Sequence, residues 1–93
     1  MADEGQEEIL RKGADVWNLW RKEHPDVKPN LVGVNLQDAL LDRVDFRDTI
    51  ISGAQLGGAH LHSVNLQRAT LIGADLRKAK LSHADFSESG VVS

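Results

Sequence analysis

Three residues of catalytic type, Asp42, His62 and Ser82, stand twenty positions apart. Their identities and order are those of an acid, a base and a nucleophile in a proton relay. They could act together only if the chain returned to the same place every twenty residues. Two more histidines, His60 and His83, fall close to this series, so that two or three imidazoles could meet near Asp42 and offer nitrogen ligands to zinc or nickel. Neither chemistry is completed by its surroundings. No oxyanion donor or pocket is suggested for a relay, and no partner is evident that would orient a metal-bound imidazole. We read the column as a polar ladder and the histidines as solvated, and expect no catalytic residue, no cofactor and no resident metal.

The stretch that would set this spacing runs from Pro29 to Ser93. An aliphatic or aromatic residue recurs at every fifth position: Leu31, Leu36, Leu41, Phe46, Ile51, Leu56, Leu61, Leu66, Leu71, Leu76, Leu81, Phe86 and Val91. Two residues before each lies a compact one, from Pro29 and Val34 through Ala54 and Ala74 to Ala84 and Ser89. A period of five belongs to neither helix nor strand. If both members of each pair point inward, four units close a roughly square turn of about twenty residues, whose first to fourth faces begin with Leu31, Leu36, Leu41 and Phe46, and successive turns stack at about 4.8 Å. The expected fold is an all-β solenoid, a quadrilateral β-helix of about three coils over residues 29–93, with a helical cap in residues 1–28.

The cap is expected as one amphipathic helix from Glu7 to Glu23. Asp3 is placed as its N-cap, with Gln6 three residues on completing a capping box. Ile9, Leu10, Gly13, Val16, Trp17 and Trp20 share one face, and Glu8, Lys12, Asp15, Asn18 and Lys22 take the other. Gly13 would let the helix axis approach what lies beneath. His24-Pro25 ends the helix, because proline blocks continuation and disfavours helical backbone in its predecessor.

The triplets Ala-Asp-Leu at 74–76, Ala-Asp-Phe at 84–86, Val-Asp-Phe at 44–46 and Val-Asn-Leu at 34–36 and 64–66 resemble those of the pentapeptide-repeat family. The segment from Gly13 to Arg21 is similar to the N-terminal cap of many bacterial members. The resemblance implies a right-handed winding with leucine and phenylalanine columns inside. Leu40, Ile50 and Lys80 depart from the Asp or Asn that the family prefers, which leaves the geometry of their turns open.

Ninety-three residues carry a net charge of −3 and no cysteine. Residues 29–93 hold seven acidic and six basic side chains. So even a balance supplies neither the basic face that nucleic acid needs nor an acidic face imitating its phosphates. No apolar run reaches membrane-spanning length and no secretory signal is visible, so the cytoplasm is the expected compartment. What remains is binding to protein. Outward positions on the first face hold Val32, Ile50, Ile72 and Val92 beside Gly33, Gly53 and Gly73, an apolar stripe of the kind that meets partners. The last turn, Gly90-Val91-Val92-Ser93, leaves an unpaired apolar edge that invites another strand, in the simplest case that of a second copy in a homodimer. A non-enzymatic interaction or scaffold module is the expected function. The alternatives are a DNA mimic that protects a topoisomerase, as the resemblance implies for some members, or the N-terminal part of a larger protein.

Overall fold

In the computed structural model, which describes residues 1–90, the repeat winds into a β-helix. Its units pair in four parallel ladders: Asn30 with Ile50, Thr70 and Gly90; Asn35 with Gln55 and Asp75; Leu40 with His60 and Lys80; Asp45 with Asn65 and Asp85. Each step along a ladder is twenty residues, so every unit sits above its fourth successor. Leu31, Phe46, Ile51, Leu56, Leu61 and Leu66 are buried together with Val44, Ala54, Ala59, Val64 and Thr49. Both inward columns read from the period therefore form the core.

Each corner is a tight turn closed by one main-chain bond, as from Val34 N–H to Leu31 C=O at 3.2 Å. The second corner residue has positive φ throughout. Glycine fills this position at 33, 53, 58 and 73, whereas Asp38, Arg43, Asp48, Ser63, Arg68, Lys78, His83 and Glu88 adopt the same left-handed backbone at 57° to 65°. A side chain in that region costs about 1 kcal/mol relative to glycine. Stacking holds the turn regardless of residue type. Asn or Asp at the preceding ladder position steadies it by accepting the N–H two residues on, as Asn35 does from Gln37 at 3.1 Å. Leu40, Ile50 and Lys80 lack that acceptor, yet their turns follow the same pattern, so what they lose is one side-chain bond.

The cap departs from expectation. It consists of two helices, α1 (Glu4–Arg11) and α2 (Ala14–Glu23), broken at Gly13. With φ 120° and ψ 162° Gly13 lies where only glycine is comfortable. A Cβ there would meet nothing within 4 Å, so it is the backbone conformation, and not a close approach, that requires glycine. The break rotates α2 relative to α1 and changes which residues face inward. Leu10 and Trp17 are fully buried and Arg21 nearly so, while Val16 and Leu19 turn outward. Trp17 closes the top of the core, its ring edge-on to Phe46 at 5.9 Å between centroids. The capping box forms by half: Asp3 accepts the Gln6 N–H at 3.0 Å, but the Gln6 side chain accepts from the Asn30 N–H at 2.7 Å instead of closing on Asp3.

Candidate functional site

The twenty-residue column does stack, but it is not wired as a relay. Asp42 accepts the main-chain N–H of His62 at 3.0 Å, not a proton from its ring. One ladder position away, Lys80 Nζ lies 3.4 Å from His60 Nε2. Among the described residues no cluster of metal-ligating side chains forms. Two grooves border α1, one of about 820 Å³ against residues 32–35 and one of about 340 Å³ between Gly13 and Leu40. Neither is lined by Asp42, His62 or Ser82. On the fourth face Arg68 bonds Asp48 at 2.8 and 3.2 Å and reaches Glu88 at 4.0 Å, a charge ladder between coils. Asp75 grips the Arg77 guanidinium and amide, which hold its carboxyl down at about 2.

The apolar stripe is interrupted. Val32 and Ile72 belong to one corner column with Ser52 between them, and Ile50 stands between Asn30 and Thr70 in the first ladder. Val32 and Ile50 are half-buried and Ile72 is 53% exposed, whereas Leu40 is 73% exposed. Val91 and Val92 lie outside the described residues.

The most distinctive chemistry is at the coil edges. Between the second and third coils each repeat unit gives two N–H groups forward and one C=O. Leu56 and Gly58 donate to Asp75 and Arg77 C=O at 2.8 and 3.0 Å, and Asp75 donates back to Ala54 C=O at 2.9 Å. The leading edge of any coil is therefore rich in acceptors and the trailing edge rich in donors.

At the leading edge of the first coil the cap supplies some of the missing partners. Asp45 C=O accepts from Trp17 Nε1 at 2.8 Å and Arg21 Nη1 at 2.9 Å, while Asp45 N–H donates to Asn18 Oδ1 at 2.8 Å. Asn18 Nδ2 donates to Arg43 C=O, Arg11 to Asn35 C=O, and Asp3 N–H to Asn30 C=O. The N–H groups of Asn35 and Leu40 have no partner among the described residues.

Charge locks this contact. Burial pushes the Asp45 carboxyl up, but the bonds from the Arg47 guanidinium and amide at 2.9, 2.8 and 3.1 Å, with Arg21 at 3.9 Å, outweigh it and hold the group below its ordinary range. Burial lowers the Arg21 guanidinium, opposed by Asp45. Arg21 also donates to Thr49 Oγ1 at 3.3 Å, while its Nε is buried without a partner. Asn18 and Arg21 were not singled out from sequence, and Asn18 was assigned to the solvent face. The sequence nonetheless carries a capping signal: two polar residues about one turn apart, both following Trp17.

The trailing edge of the last coil has no such cover. On its second, third and fourth faces the N–H groups of Leu76, Lys78, Leu81, His83, Phe86 and Glu88 and the C=O groups of Ala74, Ala79 and Ala84 find no partner among the described residues. Leu76, Leu81 and Phe86 are only half-buried there.

Four parallel ladders around a dry core define a solenoid assembled from short stacked repeats. The particular family follows from the repeat itself: the chain belongs to the pentapeptide-repeat proteins, whose family model, Pentapeptide repeats, matches residues 30–68 and 54–89 in eight copies. A solved pentapeptide repeat protein from the thylakoid lumen of Arabidopsis thaliana is similar, with 38% identity and a TM-score of 0.67 over 68% of this chain and 43% of that one. The match thus spans less than half the length of that protein. No curated protein matches the chain. Membership supports a non-enzymatic repeat module, and no helix among the described residues is long and apolar enough to cross a membrane.

Proposed function

We propose that this chain is a non-enzymatic protein-interaction or scaffold module, a right-handed three-coil β-helix whose trailing end receives another protein. The observation that carries this reading is the contrast between the six unpaired N–H groups over half-buried Leu76, Leu81 and Phe86 and the covered edge at the other end. Exposed strand edges recruit chains. What covers this edge is a second copy of the chain, a different protein, or further coils of a larger protein of which these residues are the N-terminal part. The interrupted stripe of Val32, Ile50 and Ile72 is a secondary contact in this reading. The cytoplasm, where a protein without cysteine loses nothing, is the compartment we assign, with a bacterial source by resemblance.

A protective DNA mimic is disfavoured by seven acidic against six basic residues in the repeat. A supercoiling assay with purified gyrase separates the two readings. We expect no protection against a quinolone over a wide range of protein concentration. Protection at stoichiometric protein would overturn the interaction-module reading.

A further inference from the structure

Helix α2 presents two faces. Trp17, Asn18 and Arg21 reach down to the first coil. On the outward side Val16 is 43% exposed and Leu19 58%, at the spacing of neighbours along one helix face. Asp15 precedes this apolar pair in the first turn, and Lys22 follows it in the last. Seven residues of helix span about 10.5 Å, too far for these two charges to pair with each other. Lys12 stands just ahead of the helix and Glu23 ends it. All six residues are exposed, and the four charged ones enter no ion pair among the described residues.

Along the chain these six run base, acid, apolar, apolar, base, acid. Reversed, with every sign inverted, the order reads the same. A twofold axis demands that property, because residue i of one copy meets j of the other while j meets i. From this we infer that α2 packs antiparallel against α2 of a second copy, with Val16 on the partner's Leu19, Asp15 beside the partner's Lys22, and Lys12 beside the partner's Glu23. One alignment serves all three pairs to within two residues. A parallel pair would instead set Asp15 on Asp15 and Lys22 on Lys22, like charge on like. Antiparallel axes also bring each helix's C-terminal end beside the other's N-terminal end, where the dipoles attract. Two helices of ten residues make a small contact, so the dimer is weak, with a dissociation constant of about 10 to 1,000 μM. This surface is separate from the trailing edge, so the inference goes beyond the interaction-module reading and does not depend on it.

The test is sedimentation of the full chain from about 10 μM to 1 mM, a range that brackets the expected constant, with the contact mapped by amide chemical shifts. The wild type should pass from monomer to dimer, with concentration-dependent shifts on α2. Leu19→Lys should abolish the dimer. Asp15→Lys and Lys22→Asp should each weaken it by about three- to tenfold, since either one creates two like-charge contacts across the axis. An equimolar mixture of those two variants should associate more tightly than either alone, because every like contact becomes an opposite one. The replaced side chains are exposed and unbonded in the fold, and circular dichroism at low concentration checks that each variant keeps its helices. Monomer mass throughout the range would overturn the inference, as would a dimer indifferent to Leu19→Lys or a mixture no tighter than its components. Self-association mapped to the trailing-edge amides would overturn it too, while supporting the interaction-module reading.

Discussion

Phe46 and Phe86 occupy the same repeat position on the same face, two coils apart, and meet opposite surroundings. Phe46 is fully buried beneath Trp17, beside a first-coil edge whose Asp45 amide and carbonyl are both bonded by the cap. Phe86 is half-buried at an edge whose amides find no partner among the described residues. A solenoid repeat contributes about the same interior everywhere; its neighbours decide what that interior is worth. The lesson is that the cap answers part of a coil's demand, at Asn30, Asn35 and Asp45, whereas the trailing end keeps the coil's own unmet demand.

The largest effect should come from removing the lid. Trp17→Ala deletes a buried indole and the donor to Asp45 C=O, and should cost about 3 to 5 kcal/mol in urea unfolding, most of the stability of so small a domain. Setting Phe46→Ala beside Phe86→Ala sharpens the contrast: about 3 to 5 kcal/mol for the first and less than half of that for the second, since Phe86 is already partly in water. Equal costs would mean that the two ends are equally covered. Next in size is Asn18→Ala, which leaves the Asp45 N–H without its acceptor and should cost about 1 to 3 kcal/mol. Arg68→Met removes an exposed ladder between coils and should leave the urea midpoint nearly unchanged.

Acid should loosen the capped end. The Asp45 carboxyl is held below its ordinary value in the fold. Its contribution is therefore fully present above the unfolded carboxyl pKa of about 3.9 and is lost as pH falls through the lower folded value. Unfolding followed from pH 6 downward should show stability declining below about pH 4. In Asp45→Asn the neutral-pH stability should be lower and the acid decline shallower.

What could be read from sequence and what could not divide along the same line. The interior register was legible because one rule is repeated at every fifth residue, and the same repetition placed Asp42, His62 and Ser82 in one column. The bonds inside the polar column were not. Asp42 competes for a main-chain amide as readily as for an imidazole, and spacing alone cannot separate the two. The cap contacts were hidden for a different reason. Trp17 Nε1, Asn18 and Arg21 each meet the edge once, so no period announces them, and the turn at Gly13 changed which face of the second helix points inward. Val16 fitted a continuous helix and fails in a broken one. The corners concealed their backbone too, because Arg, Lys, His and Glu carry no signal for the left-handed conformation that stacking imposes on them.

The most direct test of this partial substitution is amide hydrogen exchange, residue by residue, at a concentration where the chain is monomeric. The account predicts slow exchange at Asn30 and Asp45, whose N–H groups are held by Gln6 and Asn18, and fast exchange at Asn35, Leu40, Leu76, Leu81 and Phe86. Fast exchange at Asn30 and Asp45, or protection at Leu76, Leu81 and Phe86 in the monomer, would contradict it.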